Sequence, residues 1–196
     1  MTDQTASSPY IAQADLLAER RRFFVAARGG LSLPVAGAVY WAFLGVMGFS
    51  LELNNWALVA AFGSGMIFPL GLLLQKPLRS PFMTEKSPVS GVALQAIIAI
   101  NFLWPLHFVF ISVAPEYTVL SLAIGMTLHW LVIGWSYASK ACVIHAYARM
   151  VAVIGVFFLF PEGRLTVLPF TVSALYILAA IGIGLEVAWT RRRISA

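Results

Sequence analysis

The chain has 196 residues, 60% of them hydrophobic and 11% charged, with a formal net charge of +5. Soluble domains carry roughly 45–50% apolar and about 25% charged residues, so a water-soluble globule is excluded. The basic residues flank apolar runs and form no patch with interleaved aromatics, which points to anionic membrane lipids as their partner and away from nucleic acid.

In chain order, residues 1–10 read as a polar, disordered tail. Residues 11–28 read as an amphipathic helix. Leu16, Leu17, Phe23, Phe24 and Ala27 lie on one side, with Asp15, Glu19, Arg20, Arg21 and Arg22 elsewhere. That pattern suits a helix lying in the headgroup region. The charge ahead of the first apolar run is unlike a cleavable signal peptide, so the first span is expected to stay as an anchor. Six apolar spans follow, at 31–51, 56–75, 89–113, 118–137, 141–160 and 165–189, and then a basic tail at 190–196. At about 1.5 Å per residue each span can cross a hydrocarbon core of roughly 30 Å. Short connections, such as Ala138-Ser139-Lys140, force each helix antiparallel to its predecessor. The fold class is therefore all-α. It is a polytopic integral membrane protein with six transmembrane helices in three antiparallel hairpins, preceded by the interfacial helix.

Orientation follows from the basic residues. Arg20, Arg21, Arg22, Arg28, Lys76, Arg79, Lys86, Lys140, Arg191, Arg192 and Arg193 all fall on one side, eleven of the thirteen in the chain. The opposite loops offer Arg164 and one glutamate each, Glu52, Glu116 and Glu162. Both termini are thus expected in the cytoplasm. Arg20, Arg21, Arg22, Arg28, Arg191, Arg192 and Arg193 would then contact lipid headgroups. Trp56 and Trp189, at span ends, suit the membrane interface, whereas Trp41, Trp104, Trp130 and Trp135 lie deeper and need another explanation.

Prolines inside spans remove a backbone donor, and kinks are expected chiefly at Pro69 and Pro105. Small residues at helical spacing (Ala38, Ala42 and Gly45; Ala60 and Ser64; Ala180 and Gly184) allow close helix contact, within one chain or between copies. Gly63-Ser64-Gly65 lacks the preceding strand that a phosphate loop requires, so packing or local unwinding near Pro69 explains it better.

Counting inward from the cytoplasmic ends places Tyr40, Ser64, Asn101, His129, His145, Arg149 and Glu186 in one half of the membrane. His145 and Arg149 are four apart and share a helix face. A charge at such depth is expensive and faces the interior with a partner. Glu186 is the one carboxylate within any expected span, so an Arg149–Glu186 pair flanked by His145 is the preferred constellation, either as a clamp between helices or as the lining of a polar cavity. A bis-histidine haem would need imidazoles at matched depth. Those of His129 and His145 are offset by about 6 Å, so no cofactor is expected. The single cysteine, Cys142, excludes paired-cysteine metal sites, and no metal is expected. No paired carboxylates, nucleophile elbow or zinc helix is present, so no catalytic residue is assigned.

Four strings carry a resemblance: Gly63-Ser64-Gly65-Met66-Ile67-Phe68-Pro69-Leu70-Gly71, Leu128-His129-Trp130-Leu131-Val132-Ile133-Gly134-Trp135, Ile144-His145 with Arg149, and Phe160-Pro161-Glu162-Gly163-Arg164. Jointly they resemble an uncharacterised family of small bacterial inner-membrane proteins. The resemblance implies a bacterial inner-membrane setting, brings no established activity, and singles out His129, His145, Arg149 and Glu162 for mutation. Two functions are preferred over a third, a membrane enzyme that acts on a lipid or isoprenoid with His and Glu as acid and base. One is a transporter or a proton- or ion-coupled permease with a cytoplasm-facing polar cavity. The alternative is a non-enzymatic module that binds lipid, another protein or a second copy of itself.

Overall fold

The structure is a computed structural model that describes residues 9–194, so the tail expected over 1–10 falls almost wholly outside the described residues. Helix α1 spans Pro9–Ala26. Six helices long and apolar enough to cross a membrane follow: α2 (Arg28–Met47), α3 (Leu53–Leu78), α4 (Ser90–Val113), α5 (Pro115–Tyr137), α6 (Lys140–Leu159) and α7 (Val167–Ile194). Consecutive helices pack together, and α7 closes the bundle by packing along α2. The outward face stays apolar, with Val39, Leu73, Val109, Val151, Phe158 and Leu185 all exposed. Most of α4 lies outside the core, His107 being its one buried side chain among the described residues.

Local chemistry sets the irregularities. Pro69 cannot donate to the Gly65 carbonyl, and α3 tightens into a 3-10 turn at Ser64–Met66. Pro105 likewise leaves the Asn101 carbonyl unmatched, and α4 breaks between Asn101 and Trp104. Both helices are therefore interrupted just ahead of the two expected prolines. Arg28, Gly29 and Gly30 take left-handed backbone angles between α1 and α2. A Cβ at Gly29 would sit 2.3 Å from Ile183, so two conditions select glycine there. At the α5–α6 corner, Ala138 is left-handed, and its N–H and that of Ser139 return to the Trp135 and Gly134 carbonyls. This is a Schellman ending, and it permits a two-residue connection.

Helices α2 and α7 approach closely. A Cβ at Gly37 would lie 2.8 Å from the Tyr176 ring and one at Gly45 would lie 2.9 Å from Phe170, while Ser173 Oγ donates to the Ala38 carbonyl at 2.8 Å. Trp56, expected at the interface, is instead fully buried and donates Nε1–H to the Leu44 carbonyl at 3.0 Å. It pins the start of α3 to the end of α2, because an indole N–H inside the core needs an acceptor.

Helix α1 packs at the basic end against α5 and α7, with Phe23 and Phe24 buried beside Tyr137 at ring distances of 5.1 and 5.5 Å. Polar straps tie it to the α3–α4 loop. Arg22 pairs with Glu19 and donates to the Lys86 carbonyl, Ser87 Oγ donates to Glu19 at 2.6 Å, and Ser80 Oγ donates to the Ala27 carbonyl. The Arg22 guanidinium and the Ser87 hydroxyl hold the Glu19 carboxyl down at about 2, against an ordinary 4.5. A carboxylate depressed on folding stabilises above its ordinary pKa, and that contribution fades as pH falls toward the folded value. With spin labels at Ala18→Cys and Met83→Cys in a Cys142→Ala background, the label–label distance distribution is therefore narrow at pH 6 and broadens between pH 4.5 and 2. Adding Glu19→Gln makes it broad throughout. A distribution unchanged by acid or by Glu19→Gln contradicts the strap.

Candidate functional site

Of the two groups expected to pair, Glu186 is engaged elsewhere. Its Oε1 accepts the Lys140 N–H at 2.9 Å, and its Oε2 accepts the Ala141 N–H at 3.1 Å and the Ser139 hydroxyl at 2.6 Å. Ser139 Oγ also takes the Cys142 N–H, so a residue of α7 and the α6 N-cap together satisfy the unbonded donors at the start of α6. A carboxylate is favoured there by the helix dipole. Arg149 lies nine residues further along α6, about 13 Å by helical rise, and the Arg149–Glu186 pair does not form.

Arg149 occupies the core with none of its surface exposed, and Nε, Nη1 and Nη2 have no hydrogen-bond partner. Its guanidinium lies 4.6 Å from the Tyr176 ring centroid of α7 and 5.6 Å from that of Trp41 on α2. One helical turn back, the His145 ring is 5.1 Å from Tyr176 and 4.7 Å from Trp130 of α5, and Trp130 is 5.9 Å from Tyr176. His129 adjoins Trp130, and the Arg149 charge acts on both His129 and His145. Trp41 Nε1, Trp130 Nε1, His129 Nδ1 and His145 Nε2 are buried here without partners as well. Indole nitrogens only donate, and a guanidinium offers five N–H donors and no acceptor. The region therefore holds a surplus of donors.

The remaining candidates divide. Tyr40 is buried at the margin of this group, next to Trp41, and its hydroxyl donates to the Ala60 carbonyl of α3. Ser64 Oγ returns to the Ala61 carbonyl in its own helix. Asn101 is exposed, bonded to the Ile97 carbonyl and to Trp104 Nε1 at the α4 break. Ser64 and Asn101 are thus not brought into the cluster, and neither is Glu186. His107 is separate, at 3.1 Å from Ser121 Oγ. Among the described residues no three His, Cys, Asp or Glu side chains gather as a metal site. The residues that the sequence did not assign are the aromatic walls Trp41, Trp130 and Tyr176. The depth of the two tryptophans was the available signal, and Gly37 opposite Tyr176 was the other.

Fold and core together define a small helical bundle of the membrane-spanning kind with a buried, unpaired cation. The chain belongs to a family of unknown function, DUF7010, whose model matches residues 16–186. No curated protein and no solved structure matches it.

A double-mutant cycle separates cap from ion pair. Glu186→Ala lowers stability in both the parent and an Arg149→Met background, and the two effects add to within about 0.5 kcal/mol, as for groups without shared partners. A coupling well above that value, read from unfolding in detergent, contradicts the arrangement.

Proposed function

We propose that the protein is a permease for a small organic anion, and that Arg149 is the group that holds the substrate. The observation that carries this is the fully buried guanidinium with no acceptor on any nitrogen. Two desolvated cation–π contacts contribute about 2 kcal/mol each. They satisfy none of the N–H donors and offset only part of the several kcal/mol that removing a cation from water costs. A carboxylate on the substrate supplies what is missing, because it accepts two parallel N–H bonds from a guanidinium. The indole N–H groups of Trp41 and Trp130 extend the donor set, while His129 and His145 are the proton-exchanging groups of a coupled cycle. The breaks in α3 and α4 are the natural hinges for opening such a closed site.

The membrane is the bacterial inner membrane in this reading, and the basic end faces the cytoplasm. Support comes from Arg20 bonded to Trp135 near the α5–α6 corner, Arg22 to Lys86 of the α3–α4 loop and Arg28 to Leu78 at the end of α3, which bring these cations to one end.

Uptake of radiolabelled mono- and dicarboxylates into proteoliposomes tests the proposal. Some member of the panel enters with the parent protein, and with Arg149→Ala uptake falls to the level of empty liposomes. Arg149→Lys keeps the charge without the fork and lowers uptake roughly tenfold. Equal uptake by the parent protein and Arg149→Ala contradicts the proposal.

A further inference from the structure

A hollow lies elsewhere, on the outer face of the α5–α6 hairpin at the basic end. It is an open groove of about 560 Å³ between Leu131 and Trp135 of α5 and Val143 and Ile144 of α6, with Arg20 and Lys140 at its mouth. Arg20 lies over the half-exposed Trp135 ring at 4.5 Å and donates Nε–H to the Trp135 carbonyl. Lys140 is exposed, and neither cation pairs with an acid among the described residues. Glu186, beside Lys140, is turned onto backbone N–H groups at the start of α6, and Glu19, beside Arg20, is held by Arg22 and Ser87. A second hollow of about 80 Å³ continues the same seam, lined by Leu128, Tyr147 and Met150. Leu131 borders both hollows. From Lys140 to Met150 is ten residues, about 15 Å along the helix. That is half of a roughly 30 Å hydrocarbon core, the depth reached by one acyl chain.

We infer that this seam is a binding site for a single anionic phospholipid. Its phosphate lies against Arg20 and Lys140, and one acyl chain runs down between α5 and α6 past Leu131. Two cations at the mouth of an apolar channel match a phosphodiester whose headgroup brings no compensating positive charge. A zwitterionic lipid would carry its own ammonium to the same pair of cations. The inference rests on the membrane reading of the six helices and is independent of the Arg149 site.

Native mass spectrometry of the purified full chain, with phosphatidylglycerol and phosphatidylcholine of identical chains at equal concentration, tests it. One phosphatidylglycerol is retained in preference by roughly tenfold or more. Arg20→Gln combined with Lys140→Gln brings retention down to the phosphatidylcholine level. Ile144→Trp, which fills the seam and leaves both charges in place, does the same, whereas Lys76→Gln, an exposed cation at the same end, keeps the preference. The inference is overturned by equal retention of the two lipids, by a preference that survives either seam variant, or by an equal loss with Lys76→Gln.

Discussion

The Arg149 guanidinium stands where α2, α5, α6 and α7 meet, stacked on Tyr176 and Trp41 and bonded to no acceptor. A cation taken out of water usually draws a carboxylate to it, and the arrangement around Arg149 is what allows one to be absent. Aromatic faces contribute an attraction that needs no counter-charge. They can do so here because α2 and α7 come close enough to bring both Trp41 and Tyr176 within reach of the guanidinium, which depends on Gly37 leaving room for the Tyr176 ring. Close helix contact and the unpaired charge are thus one design. A larger residue at position 37 would push the aromatic wall away from the cation.

The same logic explains why the half-buried carboxylate of Glu186 is engaged elsewhere. Glu186 lies level with the first turn of α6, whose N–H groups have no helical partner, and a carboxylate meets those donors better than it meets a distant guanidinium. The tie holds α7 to the α5–α6 corner and thereby fixes the register that brings Tyr176 to Arg149. At the same end α1 is drawn down by Phe23 and Phe24 and strapped to the α3–α4 loop. One end of the bundle is consequently cross-linked by polar contacts, while much of α4 remains outside the core.

Much of this was legible from residue order. Long apolar runs with almost no charge announce six helices, because lipid tolerates nothing else over that length. Prolines 69 and 105 announce the two breaks, and the four-residue interval between His145 and Arg149 places both on one face. Depth counting also placed Glu186 in the same half of the membrane as His145 and Arg149. The partners of Glu186 are the unmet N–H donors at the start of α6, which lie closer to it than the guanidinium does. Helix rotation, which depth counting does not encode, turned Asn101 outward and left Ser64 bonded to its own turn. Rotation also aimed Trp41 and Trp130 inward, so the deep tryptophans became the walls of the site.

The claim that Arg149 is kept for a ligand and not for the fold is tested most directly by the stability of Arg149→Met, an apolar replacement of similar length. Replacing a buried charge that lacks a partner by an apolar side chain is commonly neutral or stabilising. Thermal unfolding of the detergent-purified protein, with and without the carboxylate that proteoliposomes take up, provides the measurement. Without anion the variant is expected to unfold at or above the parental temperature. Saturating anion should raise the parent alone, by about 2.7 kcal/mol at a hundred times the dissociation constant. A variant that unfolds well below the parent, together with a parent indifferent to anions, would make Arg149 a structural residue and contradict the account.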